Sequence, residues 1–142
     1  MRHLMAAGLI ATLAACSSST STDVTSNPQT SQTVSQQELG KAFAMKIGES
    51  IALNGLRITF RSVDADSRCP IDAVCVWAGD GQVALKIEQS GKSTVASLHT
   101  TLEPKKTEWS GYTISLVSLL PSRKAATPVK SEDYRAEIVV TR

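Results

Sequence analysis

Aromatic side chains are scarce in this 142-residue chain: Phe, Trp and Tyr together make up 4% of it. So few rings exclude the stacking platforms on which bases or sugars are bound. An excess of either charge is missing too. The formal net charge is +2, and no run of Lys and Arg forms the basic footprint that nucleic acid requires. The basic residues read instead as part of a mixed, solvated surface. No apolar run approaches the ~20 residues of a membrane-spanning helix. Walker A loops, dinucleotide fingerprints and a G-x-S-x-G nucleophile elbow are all absent. What is present is ordinary: 42% apolar and 20% charged residues, suited to one small globular domain.

The N-terminus is the most specific segment. Met1-Arg2-His3 is a short positive head, and Leu4 to Ala15 is an uncharged, mostly apolar stretch. It is too short to cross a bilayer but has the length of a signal-peptide core. It closes on Leu13-Ala14-Ala15-Cys16, which resembles the lipobox of bacterial lipoproteins. Small residues at 14 and 15 give a peptidase access to the backbone, and only a thiol at 16 can form the diacylglyceryl thioether. Residues 1–15 therefore read as a signal peptide, and Cys16 as the lipidated first residue of the mature chain. The acyl chains, palmitate among them, would anchor it durably, since each buried CH₂ contributes ~0.8 kcal/mol. Loss of Arg2 with the leader brings the mature side-chain charge to +1. The expected location is the cell envelope. Ser17, where the familiar sorting rule places Asp for inner-membrane retention, points to the outer membrane of a cell that has one, facing the periplasm or the surface.

Residues 16–37 form the next unit, the lipid-bearing Cys followed by a Ser/Thr/Gln-rich tether. Such a composition buries too little apolar surface to offset its ordering entropy, so disorder is expected. A flexible segment of this length has an end-to-end distance of roughly 25 Å.

From Glu38 onward the hydrophobic period becomes two. Leu56-Arg57-Ile58-Thr59-Phe60-Arg61 alternates without a fault, as a half-buried strand does. Val83, Leu85 and Ile87 repeat the pattern, as do Tyr112, Ile114 and Leu116, and then Tyr134, Ala136, Ile138 and Val140. Weaker strands are expected at Phe43–Ile47, Ile51–Leu53, Val74–Trp77 and Thr94–Leu98, and a short helical turn within Gln37–Met45. Asn54-Gly55 is a strong hairpin signal, because a type I′ turn needs positive φ twice. Gly48-Glu49-Ser50, Asp80-Gly81, Ser90-Gly91 and Ser110-Gly111 punctuate the rest. About eight short strands in residues 38–142 predict an all-β domain, an antiparallel β-sandwich or a small barrel. Crossover helices for an α/β fold are lacking.

The distinctive segment runs from Asp64 to Asp80. Lipidation consumes Cys16 and leaves two thiols, in a compartment where disulfides persist. Cys69 and Cys75 are therefore expected to pair. The ring pins a turn between the Arg61–Ala65 and Val74–Trp77 regions, with Trp77 on the same strand face as Cys75 and against the bridge. So small a loop stabilises by only about 2 kcal/mol. The other use of these thiols, a metal site, has only His99 to add to them, at no ligand spacing.

Asp66-Ser67-Arg68-Cys69-Pro70, a short loop, then Cys75-Val76-Trp77-Ala78-Gly79 resembles an uncharacterised family of small bacterial lipoproteins. The resemblance extends from the Gly48 turn to the Tyr134 strand and implies no particular chemistry. Two readings stand for its residues. In one they are structural: Arg68 bonded to a nearby carboxylate or carbonyls, Pro70 stiffening the loop, Gly79 making the turn. In the other, Asp66, Arg68, Pro70, Trp77 and Asp80 form a binding patch.

Catalysis finds no support. His99 sits in an expected strand with no nucleophile motif beside it. Asp64, Asp66, Asp72 and Asp80 match no calcium-loop pattern, and Glu103 and Glu108 around Pro104-Lys105-Lys106 read as a solvated loop. No cofactor, resident metal or catalytic residue is expected. The expected function is that of a membrane-anchored, non-catalytic envelope lipoprotein that binds an envelope protein or has a structural role. The alternatives are a peptidase inhibitor presenting the Cys69–Cys75 loop, in which preorganisation lowers the cost of binding, and a periplasmic metal-binding protein.

Overall fold

A computed structural model describes residues 38–142 and the backbone of residues 34–36. Residues 1–33 and Gln37, and with them the expected signal peptide, Cys16 and most of the expected tether, lie outside the described residues. Among the described residues nine strands form: β1 (Val34–Gln36), β2 (Ala42–Lys46), β3 (Ser50–Leu53), β4 (Leu56–Asp66), β5 (Gly81–Gln89), β6 (Lys92–His99), β7 (Lys106–Trp109), β8 (Tyr112–Leu120) and β9 (Arg135–Thr141). Two sheets result, in the orders β1-β3-β4-β5-β6 and β2-β9-β8-β7. Eight strands pair antiparallel and pack as the expected all-β sandwich; β1 alone is parallel, on β3.

The period-two pattern builds this core directly. Leu56, Ile58 and Phe60 of β4 and Val83, Leu85 and Ile87 of β5 are fully buried. They sit in one register, with Ile58 opposite Ile87 and Phe60 opposite Leu85. From the other sheet Met45, Ile114, Ile138 and Val140 close over them. Interdigitated aliphatic side chains in two facing sheets are the normal way such a sandwich removes apolar surface from water.

The molecule has two unlike ends. At one lie three two-residue hairpins, Asn54-Gly55, Ser90-Gly91 and Ser110-Gly111. All six residues have positive φ, from 47° to 84°, the type I′ geometry whose twist matches that of the strands. At the other end β4 stops at Asp66, opposite Gly81 of β5. Here the connections are long: 67–80, 100–105 and 121–134, the last carrying a short 3₁₀ turn at Ser131–Asp133.

Four local expectations are corrected. Val74–Trp77 is a loop, not a strand. Its apolar residues have no pairing edge, because the disulfide ring and the return to Gly81 hold them beyond the sheet. Within Gln37–Met45 the chain makes a turn at Leu39-Gly40 and then enters β2 without helix. Lys106–Glu108, read as part of a solvated loop, belongs to strand β7, with Thr107 and Trp109 half-buried and Lys106 and Glu108 exposed. Charges on the outer positions of an edge strand are a common guard against sheet extension, and they mask its alternation. Finally, Val34–Gln36, at the end of the segment assigned to the tether, adds a three-residue strand to β3. Its parallel pairing uses backbone groups and needs no apolar side chain.

Candidate functional site

The long loop between β4 and β5 is built from the strands upward. Its base continues the β4–β5 ladder: the Ser67 N–H donates to Asp80 O and the Cys69 N–H to Ala78 O, both at 2.7 Å. Gly79 turns the chain between them with φ +69°, and a Cβ there would lie 1.9 Å from Ser67 O. Only glycine fits, for backbone conformation and for space. Beyond this base Cys69 and Cys75 are joined in the expected disulfide. The tip is braced sideways: the Ile71 N–H donates to Arg123 O at 2.9 Å, and the Ala125 N–H to Asp72 Oδ1 at 2.8 Å.

Arg68 bolts the loop to the second sheet. Its Nε and one terminal nitrogen donate to the two oxygens of Asp66 at 2.8 and 2.7 Å, the bidentate pairing that suits guanidinium and carboxylate. The remaining donors reach Leu119 O, at the end of β8, and Pro121 O at 3.0 Å. Tyr134 donates its hydroxyl to Asp66 at 2.9 Å. The pair is largely enclosed, with the Asp66 side chain 7% and that of Arg68 15% exposed. Burial on its own would raise the Asp66 carboxyl. The hydrogen bonds from Arg68 and Tyr134 and the guanidinium charge outweigh it and hold the group below the usual carboxylate range. Burial, and then the bond to Asp66, push the Tyr134 phenol up.

Asp80 makes a second hub. His99 Nδ1 lies 2.6 Å from its Oδ2; an ionised carboxylate only accepts, so Nδ1 carries the hydrogen. The other oxygen accepts from the Thr101 N–H at 2.9 Å and the Leu102 N–H at 3.3 Å, tying the 100–105 loop to the start of β5. Burial opposes ionisation here too, and the bonds from His99, Thr101 and Leu102 more than reverse it, so that Asp80 is also lowered.

These bonds divide the five residues of the expected binding patch. Asp66, Arg68 and Asp80 turn inward and hold the loops, as the structural reading anticipated for Arg68 and Gly79. Trp77 faces water, 80% exposed, and does not pack on the disulfide as expected; Pro70 is half-buried at the rim. The exposed neighbours of Trp77 were not singled out from sequence: Ile71, Val74, Val76 and, from the adjacent loop, Leu102. The signal was available. Apolar residues inside and beside a seven-residue disulfide ring have no chain length with which to reach a core. Trp77 and Leu102 line a cleft of about 150 Å³ together with Ser67, Ala78, Gly79, Asp80 and Thr101.

The chemistry on offer is presentation of apolar side chains from a rigid base. Ser67 Oγ engages the backbone of Asp80, and His99 presents Nδ1 to Asp80, so the two form no nucleophile–base pair. Asp64, Asp66, Asp72 and Asp80 answer to different partners, and no cluster of three or more potential metal ligands forms among the described residues. No helix among them is long and apolar enough to cross a membrane. No protein family, curated protein or solved structure matches the chain.

Proposed function

We propose that this chain is a lipid-anchored, non-catalytic envelope protein that works by docking its cysteine-loop end on another envelope component. One observation carries the reading. Asp66, Arg68 and Asp80 at the loop base are turned inward, while four large apolar residues of the same loop are left in water: Ile71, Val74, Val76 and Trp77 are between 67% and fully exposed. Folding gains little from side chains left in water, and clustered apolar exposure marks an interaction surface. The Leu13-Ala14-Ala15-Cys16 segment supports the anchor and the envelope as the setting.

Two measurements test this. Labelled palmitate should enter the wild-type chain and not Cys16→Ser. A photo-crosslinker in place of Val76, in intact cells, should give a discrete adduct with one envelope component, a protein or a lipid. Label-free wild type, or a crosslinker that reacts only with water, would sink the reading.

A second reading, inhibition of a peptidase, is favoured by the same loop's disulfide closure and the exposure of Val74 and Val76 on either side of Cys75. It predicts an adduct to a protease, and loss of inhibition when Val74 is changed to Asp.

A further inference from the structure

The cysteine-loop end and the entry of the tether are related by topology. Strand β1 is parallel to β3, with Val34 opposite Ser50. Ser50 in turn lies opposite Thr59 of β4, and β4 runs on from there to Asp66 at the base of the cysteine loop. Since β3 runs the other way, β1 also runs away from that loop. At Val34 the chain is therefore travelling from the cysteine-loop end toward the hairpin end. Seven residues of β4 separate the level of Val34 from the loop base, about 23 Å at strand rise. Seventeen residues lie between Cys16 and Val34; an unstructured chain of that length has a root-mean-square span of about 21–25 Å. The spacer matches the distance from Val34 to the loop end, so a bilayer holding Cys16 is presented to that end at high effective concentration.

The residues waiting there suit a lipid surface. Five of the nine exposed large apolar residues among the described residues are Ile71, Val74, Val76, Trp77 and Leu102, all on two loops of this end. Tryptophan favours the headgroup level, where its ring is apolar and its N–H stays wet. The loops 67–80, 100–105 and 121–134 carry Lys and Arg in the same number as Asp and Glu. Anionic headgroups are therefore neither attracted nor repelled, and insertion would be driven by apolar burial.

Resting on the reading of Cys16 as a lipid anchor, we infer that the cysteine-loop end docks on the phospholipid surface in which the chain's own anchor sits, with Trp77 at the headgroup level. The sandwich then stands with its three hairpins directed away from the membrane. A protein occupant of the same face is the competing outcome.

The molecule supplies its own control, because Trp109 is at the other end, opposite Tyr112 beside the Ser110-Gly111 hairpin. The lipidated full-length mature protein is reconstituted in phosphatidylethanolamine–phosphatidylglycerol vesicles containing lipids brominated near the headgroup. Trp109→Phe reports Trp77 alone, and Trp77→Phe reports Trp109 alone. Trp77 should be blue-shifted and quenched at least about twofold more than Trp109, as expected of an interfacial ring. The difference should survive in high salt and in vesicles without phosphatidylglycerol. The paired change Val74→Ser with Val76→Ser, which touches no buried side chain, should reduce it. Equal quenching of the two tryptophans, or access of aqueous acrylamide to Trp77 undiminished by vesicles, overturns the inference. A lipidated protein that behaves so while its Val76 crosslinker captures a protein keeps the anchor and the docking reading, with a protein in place of lipid. Absence of palmitate at Cys16 defeats the anchor and this inference together, and the label shows which has failed.

Discussion

The two ends of the sandwich are organised on different principles. At the hairpin end three connections are two residues long, and backbone conformation does the work: positive φ at Asn54-Gly55, Ser90-Gly91 and Ser110-Gly111. A Cβ on Gly55, Gly91 or Gly111 would meet nothing within 4 Å. At the cysteine-loop end three connections are long, and side chains do the work. Arg68 reaches Asp66, Leu119 and Pro121; Asp80 gathers His99, Thr101 and Leu102; and a disulfide closes the tip. Long loops can be held rigid, but only with dedicated polar partners, and those partners are then removed from the surface. Among the residues left outside are the apolar Ile71, Val74, Val76, Trp77 and Leu102. One end merely closes strands; the other also holds large apolar side chains out in water.

The largest effect should come from cutting the bolt of the loop end. Arg68→Ala leaves Asp66 enclosed with the Tyr134 hydroxyl and the residue-68 backbone N–H but no counter-charge, and losing one partner of a well-covered ion pair costs about 3–5 kcal/mol. Urea denaturation would measure it, and a loss below about 1 kcal/mol, the level of an exposed pair, would show that Arg68 does not bolt the loop. Next come the matched glycines. Gly55→Ala meets only the left-handed backbone penalty, about 1–2 kcal/mol. Gly79→Ala meets the same penalty and also a backbone oxygen at 1.9 Å, so its loss should be clearly larger. Equal losses would erase the distinction between the ends.

Legibility in the sequence follows the same division. Leu56–Arg61 and Val83–Ile87 announce their strands because one face is buried and one wet, and Asn54-Gly55 announces its turn because few pairs accept positive φ twice. The disulfide followed from the parity of thiols once Cys16 was set aside. The loop end resisted. Val74-Cys75-Val76-Trp77 is β-branched and aromatic, so propensity favoured a strand, yet a strand needs a partner edge and none is near. Asp66, Arg68 and Asp80 read as a surface patch because charged residues usually face water; only the distant partners Leu119, Tyr134 and His99 reveal that these three point inward. Strand β7 was hidden by Lys106 and Glu108, and β1 by a composition that carries no apolar pattern.

A middle-sized effect is expected at the disulfide. Replacing Cys69 and Cys75 together by Ser should cost about 2 kcal/mol in the chain-entropy account. Hydrogen exchange should then quicken between residues 67 and 80 while the β3–β4 and β5–β6 hairpins keep their protection. Acid should sharpen the same contrast. Asp66 and Asp80 are held below the ordinary carboxylate value of about 3.9, so the stability they confer is complete above that value and is lost as pH falls through their lower folded values. Both lie at the loop end. Exchange followed from pH 5 to pH 2 should therefore show the 67–80 and 100–105 loops opening before the hairpins.

The smallest effect should come from the most conspicuous residues. Trp77 is 80% exposed, and Val74 and Val76 are entirely so; none has a hydrogen-bonded side chain. Trp77→Ala, and Val74→Ser with Val76→Ser, should each change unfolding free energy by no more than about 0.5 kcal/mol, as for surface positions free of buried contacts. The near-zero value is informative because truncating a large buried aromatic costs about 3–5 kcal/mol. A measured loss above 1 kcal/mol would mean that the loop folds down in solution and buries these side chains, and the loop end would present no apolar face. With stability unmoved, any fall in Val76 crosslinking or in vesicle contact belongs to docking alone. Arg68→Ala should lower both stability and docking, because it releases the base that holds the face in place. Trp77→Ala should lower docking only.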